Sequence, residues 1–262
     1  MIESSHNPLV KQLRSLRSRG GRQKAGLFLL EGIRLVEAAL DAGVSVKQAV
    51  YSPGLRDNQR GLVCLERIAA FGCQPQLISG SLFRSLADTE HPQGLIVAAV
   101  LPPDAELTEA DFADLSRLLI VDGVQDPGNL GTIIRTADAL GVQMVLTLAG
   151  TVDAFNQKVV RSAMGSLFHV RLRQGHQFSS VLPILRRAGL QLVVSSLSDA
   201  VPYTKASYGE RVALVVGNEG AGVSAELLQA ADLRVNIPIV GQAESLNVAV
   251  ATGIILAKLG QA

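Results

Sequence analysis

The sequence predicts two α/β domains, the second of them built on a parallel sheet with helices on both faces. The chain has 262 residues, which exceeds a typical single domain of about 100 to 200 residues. Its 48% hydrophobic and 18% charged residues are typical of an ordered protein with a sizeable core. Two runs of alternating apolar and helical segments flank the acidic, proline-containing stretch LPPDAELTEADFADL. We therefore expect a first domain over 1–105, with a linker to about 116, and a second domain over 106–262.

The first domain begins with a helix. Asn7 can cap it, Pro8 suits its first turn, and leucines recur at helical spacing as far as Leu16. We expect this helix to end near Gly20. Strands are predicted at LFLL, VKQAVYS, PQLIS and GLIVAAV, with helices at IRLVEAAL, at LVCLERIAAF and in a short stretch before GLIVAAV. The alternation indicates a compact unit that ends near Val100.

Basic residues are concentrated at the start of the chain, where Glu3 is the one acidic residue in the first 24. These basic residues are Lys11, Arg14, Arg17, Arg19, Arg22 and Lys24. Because the net charge of the whole chain is only +1, a nucleic-acid contact would have to be local. Taken alone, such a run is more often a solvated surface than an RNA contact.

The second domain is predicted from five apolar segments between helical stretches, closed by a helix from Asn247 to Lys258. The segments are LLIV, MVLTLA, LQLVVSS, VALVVG and LRVNIPIV. Mostly uninterrupted apolar strands between helices indicate a parallel sheet that is covered on both faces. Ligands of such sheets bind where loops leave the carboxyl ends of the strands.

Several classes of site are disfavoured. Cys64 and Cys73 form neither a CxxC pair nor a zinc pattern, and the four histidines lack metal-ligand spacing. We therefore expect no metal. No apolar run reaches the roughly 18 residues of a membrane span, and the start lacks the apolar core of a signal peptide. The expected location is cytoplasmic.

Three polar loops follow predicted strands of the second domain. In DGVQDPGNLGTIIRTADALG, glycines flank Asn129, and Arg135 lies about a turn and a half further along the helix. Free backbone N–H groups at that helix start would attract an anion such as phosphate. In GNEGAGVS, glycines allow the backbone around Glu219 to approach a ligand closely. The pattern is not GxGxxG, which disfavours a nicotinamide-binding fold.

The third loop, PIVGQAESLNVAVATGIIL, places Ser245, Leu246 and Asn247 at a helix start. Serine is a common helix cap, and backbone groups there are also available to a ligand. Capping alone and ligand binding are both open for Ser245 at this point.

The combination of these loops resembles the SpoU family of RNA 2′-O-methyltransferases, the TrmH-like branch of the SPOUT superfamily. NLGTIIR, LVVGNEGAG and IPIVGQAESLNVAVA resemble its three motifs in the family's order, with no departure at their polar positions. HNPLVKQLRSL, FLLEGIRLVEAAL and HPQGLIVAAV resemble the substrate-binding domain of family members. The resemblance covers nearly the whole chain, and its first half is the less specific part.

This resemblance implies a fold and a cofactor. The fold would be an α/β parallel sheet with a C-terminal deep trefoil knot, preceded by a smaller L30e-like α/β domain. S-adenosyl-L-methionine would lie in the knot, held by backbone groups at Gly217, Ile237 and Leu246, with Ser245 and Asn247 fixing the loops around it. The family's arrangement also implies a homodimer.

The implied reaction is methyl transfer to a ribose 2′-hydroxyl. Arg135 matches the family's catalytic arginine, but a guanidinium is a difficult general base. We therefore expect it to hold an RNA phosphate and polarise the hydroxyl, with proton loss assisted by substrate or solvent. Asn129 would orient Arg135 or the ribose, and Glu219 would fix the loops.

The expected partner is RNA, bound through Lys11, Arg14, Arg17 and Arg161. Lys158 and Arg171 are further phosphate candidates, although a solvated helix face explains Lys158 nearly as well. Ribosomal RNA is favoured, because the N-terminal domain resembles those of the family's rRNA enzymes. Two alternatives stay open: a tRNA 2′-O-methyltransferase, and a non-catalytic RNA- or ribosome-binding protein with a degenerate methyltransferase domain.

Overall fold

The computed structural model describes residues 1–103 and 105–260. The chain divides into two compact units. The first comprises Met1–Pro103 and Phe155–Phe168, and the second comprises Asp104–Ala154 and His169–Ala262. The segment Phe155–Phe168 therefore groups with the first unit, although in sequence it lies between strands of the second. The predicted domain limits of 1–105 and 106–262 stay predictions.

The strands are β1 (Leu27–Glu31), β2 (Val46–Tyr51), β3 (Gln76–Leu77), β4 (Leu95–Val100), β5 (Arg117–Val121), β6 (Met144–Leu148), β7 (Arg171–His176), β8 (Gln191–Ser195), β9 (Val201–Pro202), β10 (Val212–Val216) and β11 (Leu233–Asn236). The helices are α1 (Pro8–Ser15), α2 (Arg19–Ala25), α3 (Ile33–Asp41), α4 (Gln59–Ala70), α5 (Gly80–Leu86), α6 (Pro127–Ala139), α7 (Gln157–Ser162), α8 (Phe178–Arg187), α9 (Ala225–Ala230) and α10 (Val248–Leu259). Short 3₁₀ helices lie at Pro53–Asp57, Glu109–Phe112 and Ser166–Phe168.

The first unit has a four-stranded sheet in the order β1-β4-β2-β3. Strand β4 is antiparallel to β1 and β2, and β3 is parallel to β2. Its core includes Val10 and Leu13 of α1, Ile96 of β4 and Phe83 of α5. Helix α7 packs against β1 in the same unit. The four strands predicted for this part of the chain are confirmed, although β3 is only two residues long.

The first helix is shorter than predicted, because α1 ends at Ser15 and a second helix begins at Arg19. The Ser18 side chain accepts a hydrogen bond from the Gly21 N–H at 3.0 Å and so caps α2. A Cβ atom at Gly21 would lie 1.9 Å from the Ser15 carbonyl oxygen. The close turn therefore requires glycine there, and the helical leucine pattern did not reveal this break.

The second unit contains a seven-stranded sheet in the order β7-β6-β5-β10-β8-β11-β9, and every neighbouring pair is parallel. This confirms the predicted parallel sheet. The edge strands β7 and β9 were not predicted. Strand β7 is polar and mostly half-buried, and β9 has only two residues. Edge strands of this kind lack the continuous apolar run that identifies a central strand.

The core of the second unit lies on both faces of the sheet. Alternate residues such as Leu118 and Ile120 of β5 share a core cluster with residues of α8 and α9. Leu119, which points to the opposite face, is also fully buried. Helices α6 and α10 pack against each other. Burial on both faces leaves the carboxyl-end loops as the place where polar groups can gather.

Candidate active site

The loop after β10 is a tight turn that presents Glu219. The backbone groups of Asn218 and Gly222 exchange hydrogen bonds of 2.9 and 3.0 Å. The Asn218 side-chain oxygen accepts from the N–H groups of Gly220 and Ala221 at 2.9 Å. A Cβ atom at Gly217 would lie 2.3 Å from the backbone of Gly222. This loop needs its glycine because its own backbone packs closely at Gly222; the predicted close approach to a ligand stays a prediction.

The Glu219 carboxylate binds the start of α6. It accepts hydrogen bonds from the N–H groups of Gln125 and Asp126, each at 3.3 Å, and from Asn129 Nδ2 at 2.9 Å. Burial raises the pKa of Glu219, but the hydrogen bonds from Asn129 and from backbone N–H groups outweigh it, so the pKa lies below its usual value. The carboxylate is therefore held in its charged form.

This contact corrects one expectation. Backbone N–H groups near the start of α6 were expected to be free for an anion such as phosphate. Those of Gln125 and Asp126 donate to Glu219, and that of Asn129 donates to the Asp126 side chain at 2.8 Å. The helix start already has an anionic partner, supplied by a loop about 90 residues further along the chain.

Asn129 connects the first and third loops. Its Oδ1 accepts a hydrogen bond from Asn247 Nδ2 at 2.9 Å, while its Nδ2 donates to Glu219. The Asn247 Oδ1 accepts from the N–H groups of Ala249 and Val250 and so caps α10. A carboxylate accepts only and a helix start donates only, so both amides have one allowed orientation. The structure thus joins Asn129, Glu219 and Asn247 in one hydrogen-bonded chain.

Ser245 is not the cap of α10, since Asn247 has that role. The structural explanation of Ser245 as a helix cap is therefore wrong. The residue lies instead in the lining of a cavity.

Arg135 lies further along α6 and is exposed. Successive residues turn by about 100° in a helix, so Arg135 and Asn129 lie on different faces. Within residues 1–103 and 105–260, the Arg135 guanidinium has no hydrogen-bond or ion-pair partner. An orienting contact from Asn129 to Arg135 is accordingly absent from the described part of the chain. An unpaired, exposed guanidinium is available to a phosphate or a hydroxyl oxygen.

A cavity of about 570 Å³ opens at the carboxyl ends of β8, β10 and β11. Of the predicted cofactor residues, Gly217, Ile237, Ser245 and Leu246 line it, and Asn247 follows directly in the chain. The segment 195–198, which starts at the last residue of β8, forms a further wall that the sequence reasoning missed. The small polar residues that follow the apolar segment LQLVV were the signal that could have revealed it.

The charged side chains that line this cavity are all acidic. Glu219 and Glu244 are its charged residues, and no lysine, arginine or histidine of the described chain lines it. Apolar walls come from side chains such as Val216, Ile237 and Leu246. The cavity therefore suits a ligand that has both an apolar part and positive charge. Among the described residues, no group of histidine, cysteine or acidic side chains could hold a metal ion.

The predicted RNA-binding residues lie in the first unit. Lys11 and Arg14 are exposed on α1. Arg17 is also exposed and donates to the Ala87 carbonyl oxygen at 2.9 Å, at the C-terminal end of α5. Arg161 forms an ion pair with Asp88 at 2.5 Å.

The two other phosphate candidates differ in their surroundings. Lys158 is exposed on α7. Arg171 is paired with Asp114 at 3.1 Å in the second unit. None of the helices in the described residues is long and apolar enough to cross a membrane.

Comparison with known proteins gives consistent matches over both units. The SpoU rRNA Methylase family matches residues 116–257, and the MRM3-like substrate binding domain matches residues 7–97. A 23S rRNA (guanosine(2553)-2′-O)-methyltransferase of Bacillus subtilis is 40% identical over 255 residues, which are 97% of each chain. The AdoMet-bound crystal structure of an rRNA methyltransferase from Sinorhizobium meliloti is 32% identical with a TM-score of 0.86, covering 99% of this chain and 97% of its own.

A tRNA-modifying enzyme gives a shorter match. The crystal structure of the A. aeolicus TrmH/SpoU enzyme is 31% identical with a TM-score of 0.50, and it covers 58% of this chain and 79% of its own. Fold and site together define an S-adenosylmethionine-dependent RNA methyltransferase of the α/β class. The chain belongs to the SpoU rRNA methylase family and has an MRM3-like substrate-binding domain before the methylase domain. The predicted family, enzyme class, parallel-sheet fold and cofactor are confirmed.

Proposed function

We propose that this protein transfers a methyl group from S-adenosylmethionine to a ribose 2′-hydroxyl of ribosomal RNA. The observation that carries the proposal is the chain from Glu219 through Asn129 to Asn247, which joins three loops beside an acidic, partly apolar cavity. This arrangement holds together three of the polar residues that the resemblance assigns to the site, Asn129, Glu219 and Asn247. It therefore favours the catalytic function over a degenerate, non-catalytic one.

The preference for ribosomal RNA is supported by how far the relatives match. The rRNA enzymes from Bacillus subtilis and Sinorhizobium meliloti match nearly the whole chain, including the N-terminal unit. The A. aeolicus tRNA-modifying enzyme covers 58% of the chain. Because the N-terminal unit is shared with the rRNA enzymes, we assign ribosomal RNA to this protein as well.

The cavity lining fits the cofactor. Glu219 and Glu244 provide negative charge for its positively charged groups, and the apolar walls suit its adenosine part. We assign backbone groups of Gly217, Ile237 and Leu246 to its binding. Ser245 and Asn247 fix the loop before α10. When bound, the cofactor supplies a sulfonium methyl group that an oxygen nucleophile can attack.

Arg135 is assigned to the substrate side of the reaction. Its guanidinium would hold an RNA phosphate and polarise the ribose hydroxyl, which stabilises negative charge as the proton leaves to substrate or solvent. The absence of any partner for Arg135 in the described residues supports this role. Glu219 has a lowered pKa and is a weak base, so its proposed part in catalysis is to hold Asn129 in place. Asn129 is then assigned to the ribose.

RNA binding is assigned to the basic residues of the first unit. Lys11, Arg14 and Arg17 are exposed and form no ion pair with a described carboxylate. Arg161 is included in the proposal, and RNA would have to compete with its partner Asp88. Contacts of this kind bind the phosphate backbone and position the RNA without reading its sequence. A cytoplasmic location, expected from the sequence, stays part of the proposal.

A homodimer is also part of the proposal. Helix α10 is apolar around most of its circumference, and Val250 on it is 52% exposed. Leu246, just before the helix, is 38% exposed. A second copy of the chain would cover this surface. Light scattering after size-exclusion chromatography should give twice the monomer mass for wild type and the monomer mass for Val250→Glu.

The predicted trefoil knot is proposed from the course of the C-terminal segment. Strand β11 is separated from β5 by β8 and β10 in the sheet. The helix that follows β11 nevertheless packs against α6, which follows β5. The connecting residues 237–247 must therefore pass the carboxyl ends of β8 and β10, where threading would occur.

The test of the main proposal is methyl transfer from labelled cofactor to unmodified total RNA, separated into ribosomal and transfer RNA. The expected product is labelled rRNA that resists alkaline cleavage at the modified nucleotide, because a 2′-O-methyl group blocks that cleavage. Arg135→Ala should reduce the label about 100- to 1000-fold. The matched control is Arg187→Ala, since this exposed arginine pairs with Glu109 outside the cavity lining. Label in tRNA alone would overturn the rRNA assignment, and the absence of cofactor binding would overturn the enzyme assignment.

A further inference from the structure

Glu244 stands out among the charged groups of the cavity. It lies in the exposed segment before α10 and lines the cavity together with Ser245 and Leu246. The other lining carboxylate, Glu219, accepts hydrogen bonds from Asn129 and from two backbone N–H groups. Glu244 has neither a hydrogen bond nor an ion pair with any residue that the structure describes. Its charge is therefore uncompensated within the described protein.

An uncompensated carboxylate gives the cavity a negative potential, which apolar walls strengthen by lowering the local dielectric constant. No described basic side chain lines the cavity to oppose it. A ligand with more positive charge should consequently bind better than a neutral ligand of the same shape. The lining can therefore distinguish ligands by their charge as well as by their shape.

Methyl transfer changes the charge of the cofactor. The carbon–sulfur bond breaks, the carbon–oxygen bond to the ribose forms, and the hydroxyl proton leaves to substrate or solvent. The sulfur retains the bonding electron pair and becomes a neutral thioether, so S-adenosylhomocysteine carries one positive charge fewer than S-adenosylmethionine. Both ligands keep the same amino acid ammonium and carboxylate groups. The sulfur centre is the one place where their charges differ.

We propose that Glu244 is a specificity-determining residue that makes the cavity favour the sulfonium form of the cofactor over its neutral product. This inference rests on the proposed function, since it takes the cavity as the cofactor site. If so, the attraction between Glu244 and the sulfonium charge is lost once the methyl group has been transferred, because S-adenosylhomocysteine has no sulfonium. Glu244 would then contribute to exchange of product for fresh methyl donor.

The test is calorimetric binding of three ligands to wild type and to Glu244→Gln. The ligands are S-adenosylmethionine, S-adenosylhomocysteine and sinefungin, an unreactive analogue with an ammonium group near the sulfonium position. We expect the variant to bind the two cationic ligands about threefold to tenfold more weakly, as suits an exposed charge, and the neutral-sulfur ligand within about twofold of wild type. The wild-type preference should also shrink between about 50 and about 500 mM salt.

Two further variants separate charge from shape. Glu244→Asp keeps the carboxylate and should keep the preference for cationic ligands. Glu210→Gln removes an exposed carboxylate outside the cavity lining and should change none of the affinities. Thermal unfolding curves should be alike for all variants, because Glu244 has no partner in the described residues.

The outcomes separate this inference from the proposed function. If Glu244→Gln weakens all three ligands equally, the residue binds a group that they share, and the inference is wrong. Unchanged affinities for all three would overturn it as well. If wild type binds none of the ligands, the cavity is not the cofactor site and the proposed function itself fails.

Discussion

The arginines of the sheet unit and the basic residues of α1 differ in what surrounds them. In the sheet unit, several arginines are paired with carboxylates: Arg171 with Asp114, Arg173 with Asp111, Arg186 with Asp232 and Arg187 with Glu109. On α1, Lys11 and Arg14 are exposed and have no described carboxylate partner. Arg135 resembles the second group although it belongs to the sheet unit. Under the proposed function, exposed basic groups without a described carboxylate partner are free to contact RNA phosphates, whereas Arg161 would first have to leave Asp88.

The largest expected effect is that of removing the Arg135 guanidinium, which has no partner among the described residues. Arg135→Ala should reduce methyl transfer about 100- to 1000-fold, because it removes a positioned donor from the developing negative charge. Cofactor affinity, measured by calorimetry, should stay near the wild-type value. Arg135→Lys keeps the charge without the planar fork and should recover only part of the activity. Near-normal turnover of the lysine variant would contradict bidentate positioning.

The second prediction concerns the chain of hydrogen bonds from Glu219 through Asn129 to Asn247. Asn129→Asp replaces a donor 2.9 Å from the Glu219 carboxylate by an acceptor, and like charges at this distance repel. Unfolding free energy should fall by about 1–3 kcal/mol, and cofactor binding should weaken about tenfold. Denaturant unfolding and calorimetry measure these changes.

A double variant provides the control for this prediction. Asn129→Asp combined with Glu219→Gln again pairs a donor with an acceptor, in the reverse direction. It should recover part of the lost stability, as a double-mutant cycle would reveal. If the single variant is as stable as wild type, Glu219 and Asn129 do not support each other as the geometry indicates.

A smaller effect is expected from the basic residues of α1. The double variant Lys11→Ala and Arg14→Ala should weaken RNA binding about tenfold at low salt. It should also reduce the slope of log affinity against log salt by about one to two. Filter binding across a salt series measures both quantities. Arg186→Ala is the matched control, since that arginine is paired with Asp232 at 2.6 Å; an equal loss in the control would remove the distinction between paired and unpaired arginines.

The smallest expected effect concerns Asp111, the carboxylate that is paired with Arg173. A hydrogen bond from the Thr108 N–H is the main reason why the pKa of Asp111 lies below its usual 3.8; the Thr108 hydroxyl and Arg173 contribute, and burial acts in the opposite direction. A depressed folded-state pKa stabilises the protein above the unfolded pKa, and this contribution is lost as pH falls through the folded value. Asp111→Asn should therefore lower stability at neutral pH and reduce its decline in acid.

Urea unfolding between about pH 6 and about pH 3 tests this last prediction. Catalytic activity at neutral pH should be close to that of wild type, because Asp111 is outside the cavity lining. An acid decline as steep in Asp111→Asn as in wild type would assign the pH dependence to other carboxylates.

Much of the fold could be predicted because it depends on local patterns. The central strands β5, β6, β8 and β10 are largely apolar runs, and the α10 helix begins directly after Asn247, as expected. The break between α1 and α2 was missed, because it depends on a backbone approach at Gly21 that no periodicity reports. Strands β7 and β9 were missed for a related reason: pairing along one edge defines them, and an apolar pattern does not.

The sequence by itself determined the family, the parallel sheet and the three polar loops, since residue type and spacing within each loop carry that information. Only the tertiary structure decided that Glu219 occupies the start of α6, that Asn129 joins it to Asn247, and that Arg135 has no partner within residues 1–103 and 105–260. It also revealed the wall at 195–198 and a Glu244 carboxylate to which no described residue supplies a partner. Asn129 and Asn247 are 118 residues apart. Contacts over such separations depend on the order of strands in the sheet, and that order cannot be read from the local pattern of any segment.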